Sequence, residues 1–437
     1  MNFLKRFLVS RKTVLTLLVA GIAAVSIAYI IPQRFAVSPA EMTAWQSKYP
    51  IPAKIDAILQ LHQVFTSWWF VVLLLMLLLS LLFSCSDQIV RAFQRTFAKP
   101  RHQNDREIFL ACGDKQLSQI VGKHGYIKIG QAETRSRFVK NPWGYWGNAL
   151  LHVGFVIIIM ASLFIVLTQK RGMVNLAEEE IFPAGGQWQT EERGLLAGSF
   201  FLQDALQLKT VKPDFWENGD LKQLSATVLF MGPEERQTTE QLIINKIVYY
   251  RGVRVYLSRF FGMEFLVSLL NDEGEHIGIR MDFEHPVRLD APSYGTFRFN
   301  ELSFLVKAKC YADSDMRDMA GDNPQLVLRL LNDDKLLGEL SLKIGETGRL
   351  GPFQARLVGM KRWTGLIFVD ITGMPFVFFA FFVIIVGSGL TYFMPPRELL
   401  VRQEGQHLYL TWKPGRFPGF YKDELDNILG QLKEQAG

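Results

Sequence analysis

The side chains with most to offer a metal or a prosthetic group are seven histidines and three cysteines. One of them, His152, stands inside a run, residues 143–168, that carries no formal charge. That run is longer than the roughly 20 residues a helix needs to cross a bilayer. Asn148 precedes the histidine by four positions and falls on the same helical face. Imidazole in hydrocarbon is costly, so an intramembrane histidine is read first as a functional group. Neutral imidazole suits haem iron, and two such ligands on opposite faces make a six-coordinate site, of which His152 supplies one. The competing use is packing, through a hydrogen bond to Asn148 or to a neighbouring helix. The residues leave both uses open. His62 is a weaker candidate ligand, since histidine is ordinary at a membrane interface. Trp143 and Trp146 are first of all interfacial belt residues, although a flat aromatic pair would also suit a porphyrin edge.

Other chemistry is poorly supported. There is no HExxH, no GxSxG, no P-loop and no GxGxxG after a strand. Glu178-Glu179-Glu180 and Glu191-Glu192 read as solvated charge runs rather than catalytic carboxylates. His276 and His285 have no histidine partner at ligand spacing. His102 and His124 lie in a basic stretch and read as solvated. Cys85, Cys112 and Cys310 form no CxxC pair and no zinc-like spacing, which argues against a thiol oxidoreductase and a self-attached c-type haem. Cys310 reads as a small buried hydrophobe. An enzyme acting alone is not indicated.

The elements that must position His152 follow from apolar length. Apolar residues make up 49% of the chain, the composition of a membrane protein. Four spans are predicted, at residues 13–31, 67–84, 141–169 and 375–395. The first is read as an uncleaved anchor, over a signal peptide cut near Ser26 and Ala28. Its preceding tail carries four positive charges and no negative ones, and residues 86–140 carry eleven Lys or Arg against five Asp or Glu. The connector 34–66 is nearly neutral, with three against two. The positive-inside rule therefore puts both termini and the 86–140 loop in the cytoplasm, and the connector and residues 170–374 outside. The third span then runs outward, with His152 near its inner end.

The predicted organisation has six parts. Residues 1–85 hold the tail, the first span, the outer connector and the second span. Residues 86–140 form a basic cytoplasmic loop, 141–169 the span with His152, and 170–374 an extracytoplasmic domain. Residues 375–395 are the last span, and 396–437 a cytoplasmic tail with a short strand pair and an amphipathic end helix. Within the connector, Ile55, Ile58, Leu59, His62 and Phe65 take helical spacing, as in a helix lying on the membrane surface. Residues 170–374 instead show short Val-, Ile-, Phe- and Tyr-rich runs broken by turn residues, the signature of strands, among them Ser225–Met231, Leu242–Tyr249, Arg254–Ser258, Phe265–Leu270 and Phe353–Val358. The expected fold is an α+β membrane protein, four transmembrane helices with a large all-β, sandwich-like domain between the third and fourth. Gly387-Ser388-Gly389 in the last span would let another helix approach closely. With the positive charge confined to inner segments and no recognisable binding fold, nucleic acid is not an expected partner.

Taken together these residues resemble the ResB family of cytochrome c biogenesis proteins, the CcsB-type half of system II. Ile31-Pro32-Gln33 resembles the family's end of the first span, and Ser67-Trp68-Trp69-Phe70 the start of its second. Trp146-Gly147 with His152 and Gly154 resembles its WG…HxG third span. Ile244-Asn245 with Tyr250-Arg251-Gly252 and Tyr256 is similar to a strand pair of its outer domain. Two departures stand out: Lys246-Ile247 replaces the proline that often follows that asparagine, and the stretch before the fourth span matches only loosely. The resemblance implies a subunit of a haem-attachment complex, working with a CcsA-type haem-binding membrane subunit. It implies transient, non-covalent haem b as the cargo, with His152 its inner axial ligand. Reduced CxxCH apocytochrome c would be the recipient, a thioredoxin-like thiol reductant would act upstream, and the protein would sit in the cytoplasmic membrane against lipid. The alternative is a membrane-anchored β-domain that docks proteins and binds no cofactor.

Overall fold

The computed structural model describes residues 2–97, 107–132, 134–232, 237–271, 274–299, 304–332, 335–405 and 407–434. His102 lies outside them. The chain divides into two compact units, one of residues 1–30, 67–166 and 373–437, the other of residues 31–66 and 167–372.

The first unit holds four helices long and apolar enough to cross a membrane: Arg11–Ile30, Trp68–Phe97, Gly144–Thr168 and Met374–Tyr392. These are spans 1 to 4. Span 2 continues well past the expected end at residue 84. Its last three turns alternate polar and apolar residues, with Ala92 buried and Asp87 paired to Lys5 at 2.6 Å. Ser80, in the middle of span 2, donates its hydroxyl to the carbonyl of Leu8.

Spans 3 and 4 meet through small residues. A methyl group added at Gly147 would collide with Thr391 Oγ1 and the backbone at Gly387, and one at Gly154 with Ile384. One added at Gly387 would strike the backbone of span 3, whereas one at Gly389 meets nothing within 4 Å. Of the expected glycine patch, therefore, Gly387 makes the close approach. A Gly147→Leu variant is expected to force the two helices apart, lowering stability by about 1–3 kcal/mol. The readout is the thermal unfolding midpoint in detergent, with Gly389→Leu as the neutral control. Equal midpoints for the two variants would contradict this packing.

The segment after span 2 is more than a loop. Residues 108–140 and 397–434 build a small α/β domain whose five strands lie in the order 108–110, 407–414, 397–404, 135–140 and 127–132. Helices Asp114–Lys123 and Lys422–Glu434 cover it, burying Leu117, Ile120, Ile428 and Leu432 against Phe138, Leu399 and Leu410.

The second unit is mostly strands. Two of them, Val253–Leu270 and Phe353–Asp370, are each 18 residues long and pair antiparallel along most of their length. Each half of this ladder carries its own core. Phe265, Val267 and Leu269 with Ala355 and Leu357 pack beneath a four-stranded sheet spanning residues 293–342. Val255, Leu257, Leu366 and Phe368 pack beneath another, spanning 181–243. In the second, Leu224, Ala226, Val228 and Phe230 point inward from alternate positions of one strand, the period-two pattern of a sheet with one buried face.

Candidate functional site

His152 lies two turns into span 3, half-buried. Its Nδ1 is 2.9 Å from the backbone carbonyl oxygen of Asn148. A carbonyl can only accept, so Nδ1 carries the proton, and in the neutral ring the lone pair is on Nε2. Among the described residues Nε2 has no hydrogen-bond partner. The hydrogen bond to Asn148 that the sequence suggested is made to its backbone carbonyl, so the helix itself holds the ring.

The helical period fixes what His152 faces. Gly147 and Gly154 mark the seam with span 4, and His152 is turned about 140° from Gly147 around the axis at 100° per residue. The imidazole therefore faces away from that seam, within about 40° of the direction of Asn148. Trp146, six positions earlier, is about 120° from it and a turn and a half away, so the two share no face. Trp143 is 69% exposed just before the helix begins.

Where span 3 begins, a buried network appears that the sequence did not suggest. Arg137, on the strand leading to the span, is almost fully enclosed. Its Nη2 donates to the carbonyl of Arg95 at 2.7 Å and to Glu398 at 2.9 Å, and its Nε reaches the same carboxylate at 3.1 Å. Tyr145, in the first turn of span 3, accepts from Nη2 at 3.2 Å and donates its own hydroxyl to Glu398. One guanidinium thus joins the end of span 2, the start of span 3 and the sheet strand after span 4. Burial by itself would lower the Arg137 pKa, but the Glu398 and Tyr145 oxygens outweigh it and the net shift is upward. No sequence signal singles out Arg137, because its partner Glu398 lies 261 positions away.

In the second unit, His62 has both ring nitrogens engaged. Nδ1 donates to the Asp56 carboxylate at 2.9 Å, which also accepts the His62 backbone N–H at 2.7 Å. Arg34 Nη2, which can only donate, lies 3.0 Å from Nε2. The predicted single helix through this region ends at Gln60, whose left-handed φ of 54° turns the chain so that His62 folds back onto Asp56. Asp56 is 3% exposed, and the bound imidazole and backbone N–H compensate its burial. A ligand approaching Nε2 must first displace Arg34.

The remaining histidines and the cysteines take quieter places. His285 is stacked between Phe215 and Phe261, with Nδ1 donating to the Pro286 carbonyl, and its burial lowers its pKa. His124 contacts Gln431 at 3.2 Å on an exposed surface. Cys85, Cys112 and Cys310 are all buried free thiols, and burial raises the Cys310 pKa to about 12. Among the described residues no group of three or more His, Cys, Asp or Glu is placed to hold a metal ion.

Comparison with known protein families gives a match. The model of the ResB-like family covers residues 11–333, from the first span into the strand-rich unit. No protein of curated function matches the chain.

Proposed function

Because the chain belongs to the ResB-like family, we propose that it is the CcsB-type component of a system II cytochrome c biogenesis complex, handling haem b as cargo. Membership fits cytochrome c biogenesis in general. The finer reading rests on one observation, the Nε2 lone pair of His152, unpartnered and held in one tautomer inside an apolar span. Haem iron takes a neutral imidazole nitrogen of this kind. His152 faces away from span 4, so the second axial ligand and the rest of the porphyrin contacts come from a CcsA-type membrane subunit on that side. The charge bias of the segments puts His152 near the cytoplasmic face and the strand-rich unit outside, with both termini inside. The strand-rich unit there serves docking of the partner and of reduced apocytochrome c, downstream of a thioredoxin-like thiol reductant. His62 would take part in ligation only after Arg34 leaves its Nε2.

Deleting the chain from a cell that matures cytochromes by this route tests the reading. Covalent haem attachment to CxxCH apocytochromes is expected to stop while their secretion continues. Normal holocytochrome levels in the deletion strain would overturn it.

A further inference from the structure

Beneath His152 the same helical face opens onto a cavity of about 500 Å³. Asn148 and Thr391 line it together with four basic side chains, Arg91, Arg95, Lys413 and Arg416. The basic residues come from the last turns of span 2 and from the strand end after span 4, stretches more than three hundred positions apart. Like charges gathered around one concavity repel unless something neutralises them. The acid in the wall, Glu398, does not do so, because it is held by Arg137 and Tyr145. Among the described residues Arg91, Arg95 and Arg416 form no ion pair, while other arginines of the same unit, Arg397 and Arg402, are paired with Glu424 and Glu107. Arg91 and Arg95 are one helical turn apart, which lets two guanidinium forks meet one bidentate anion or two neighbouring ones.

We propose that this cavity binds the anionic head of an amphiphile, carboxylate or phosphate, with Arg91, Arg95 and Arg416 as its counter-charges. An amphiphile is indicated because the basic lining is built at the ends of helices long and apolar enough to cross a membrane, and Asn148 in the lining belongs to span 3, whose following turns are apolar. Two sources carry that chemistry: the propionates of a porphyrin and the headgroup phosphate of an anionic lipid. The site stands apart from ligation of iron by His152.

The test uses the full chain in phosphatidylcholine nanodiscs, with metal-free protoporphyrin IX and its dimethyl ester as probes read by fluorescence. In parallel, native mass spectrometry reads retained phosphatidylglycerol against phosphatidylcholine. The propionate source predicts that the free acid binds at least about tenfold tighter than the ester. The lipid source predicts selective retention of phosphatidylglycerol. Either preference should vanish in an Arg91→Gln, Arg95→Gln, Arg416→Gln triple variant and persist in the corresponding triple lysine variant. Should the glutamine variant not fold, the wild-type preference must still weaken as salt rises. Absence of both preferences, or a preference indifferent to the triple change and to salt, overturns the proposal. Metal-free porphyrin has no iron to ligate, so its binding reads the basic cavity separately from iron ligation by His152.

Discussion

Replacing His152 by alanine is expected to remove the Soret band from the purified protein, and added imidazole should bring it back. The variant deletes the one nitrogen in span 3 that is both unprotonated and unpartnered. It leaves no new buried orphan behind, since the Asn148 carbonyl remains part of the helix backbone. The helix should therefore survive, and the loss should appear in haem affinity. Outer partners of metal-bound histidines are worth roughly 10–100-fold in affinity, so losing the ligand itself should cost at least about a hundredfold. Exogenous imidazole can occupy the space left by the ring and present an equivalent nitrogen. A purely packing role for His152 predicts the reverse pattern: a lower unfolding midpoint and no imidazole-dependent spectrum. Asn148→Ala separates the contributions further, because the histidine is held by the backbone oxygen and should keep its tautomer without the amide.

The second large effect concerns stability. Arg137→Ala should destabilise the first unit by roughly 3–5 kcal/mol, the cost of leaving one partner of a buried ion pair unmatched. The Arg137 side chain is 3% exposed, and its loss would strand the Glu398 carboxylate and the carbonyl at the end of span 2. Arg137→Lys keeps the charge but not the planar fork, so it should recover only part of the loss. Tyr145→Phe should cost about 1.5–3 kcal/mol, one hydrogen bond to a charged group with the guanidinium still in place. Denaturant unfolding of the small α/β domain is the measurement. A change under about 1 kcal/mol for Arg137→Ala, the range of a solvent-screened surface pair, would contradict the account of this junction.

Much of the membrane part was legible because apolar length is a local property. Residues 141–169 contain the observed Gly144–Thr168, and the last span departs from Met374–Tyr392 by only a few residues. Span 2 was cut short because Asp87, Arg91 and Arg95 end its apolar run. Its helix continues there because Asp87 is paired with Lys5 and Ala92 is buried. Among the strands, alternation found Leu221–Met231 and Phe353–Asp370 at least in part. It divided Val253–Leu270 in two, since the ladder shifts register between Leu257 and Phe261 and the period slips. It also ran one strand through Asn245, whose left-handed φ of 64° separates Gln237–Ile243 from Val248–Tyr250.

What the sequence concealed was non-local. The small α/β domain pairs residues 135–140 with 397–402, across the whole strand-rich segment. No period or motif announces a partner that far away. The same distance hid the Arg137–Glu398 pair and the basic cavity. His152 could be read as special because its cost in hydrocarbon is visible in one span alone. Its tautomer could not be read, because that depends on which oxygen it reaches. The ResB resemblance, carried by short motifs in order, agrees with the family match over residues 11–333. Gly147 and Gly154 in that pattern now have a physical reason, the contact with span 4.

The most direct measurement is the absorption spectrum of the wild-type chain, purified alone and together with the proposed CcsA-type subunit from cells that make haem. A Soret band in the pair, diminished when His152 is replaced and unaffected by substitution of His285, is the predicted result. A pair that assembles but retains no porphyrin in either subunit would contradict haem handling by this chain.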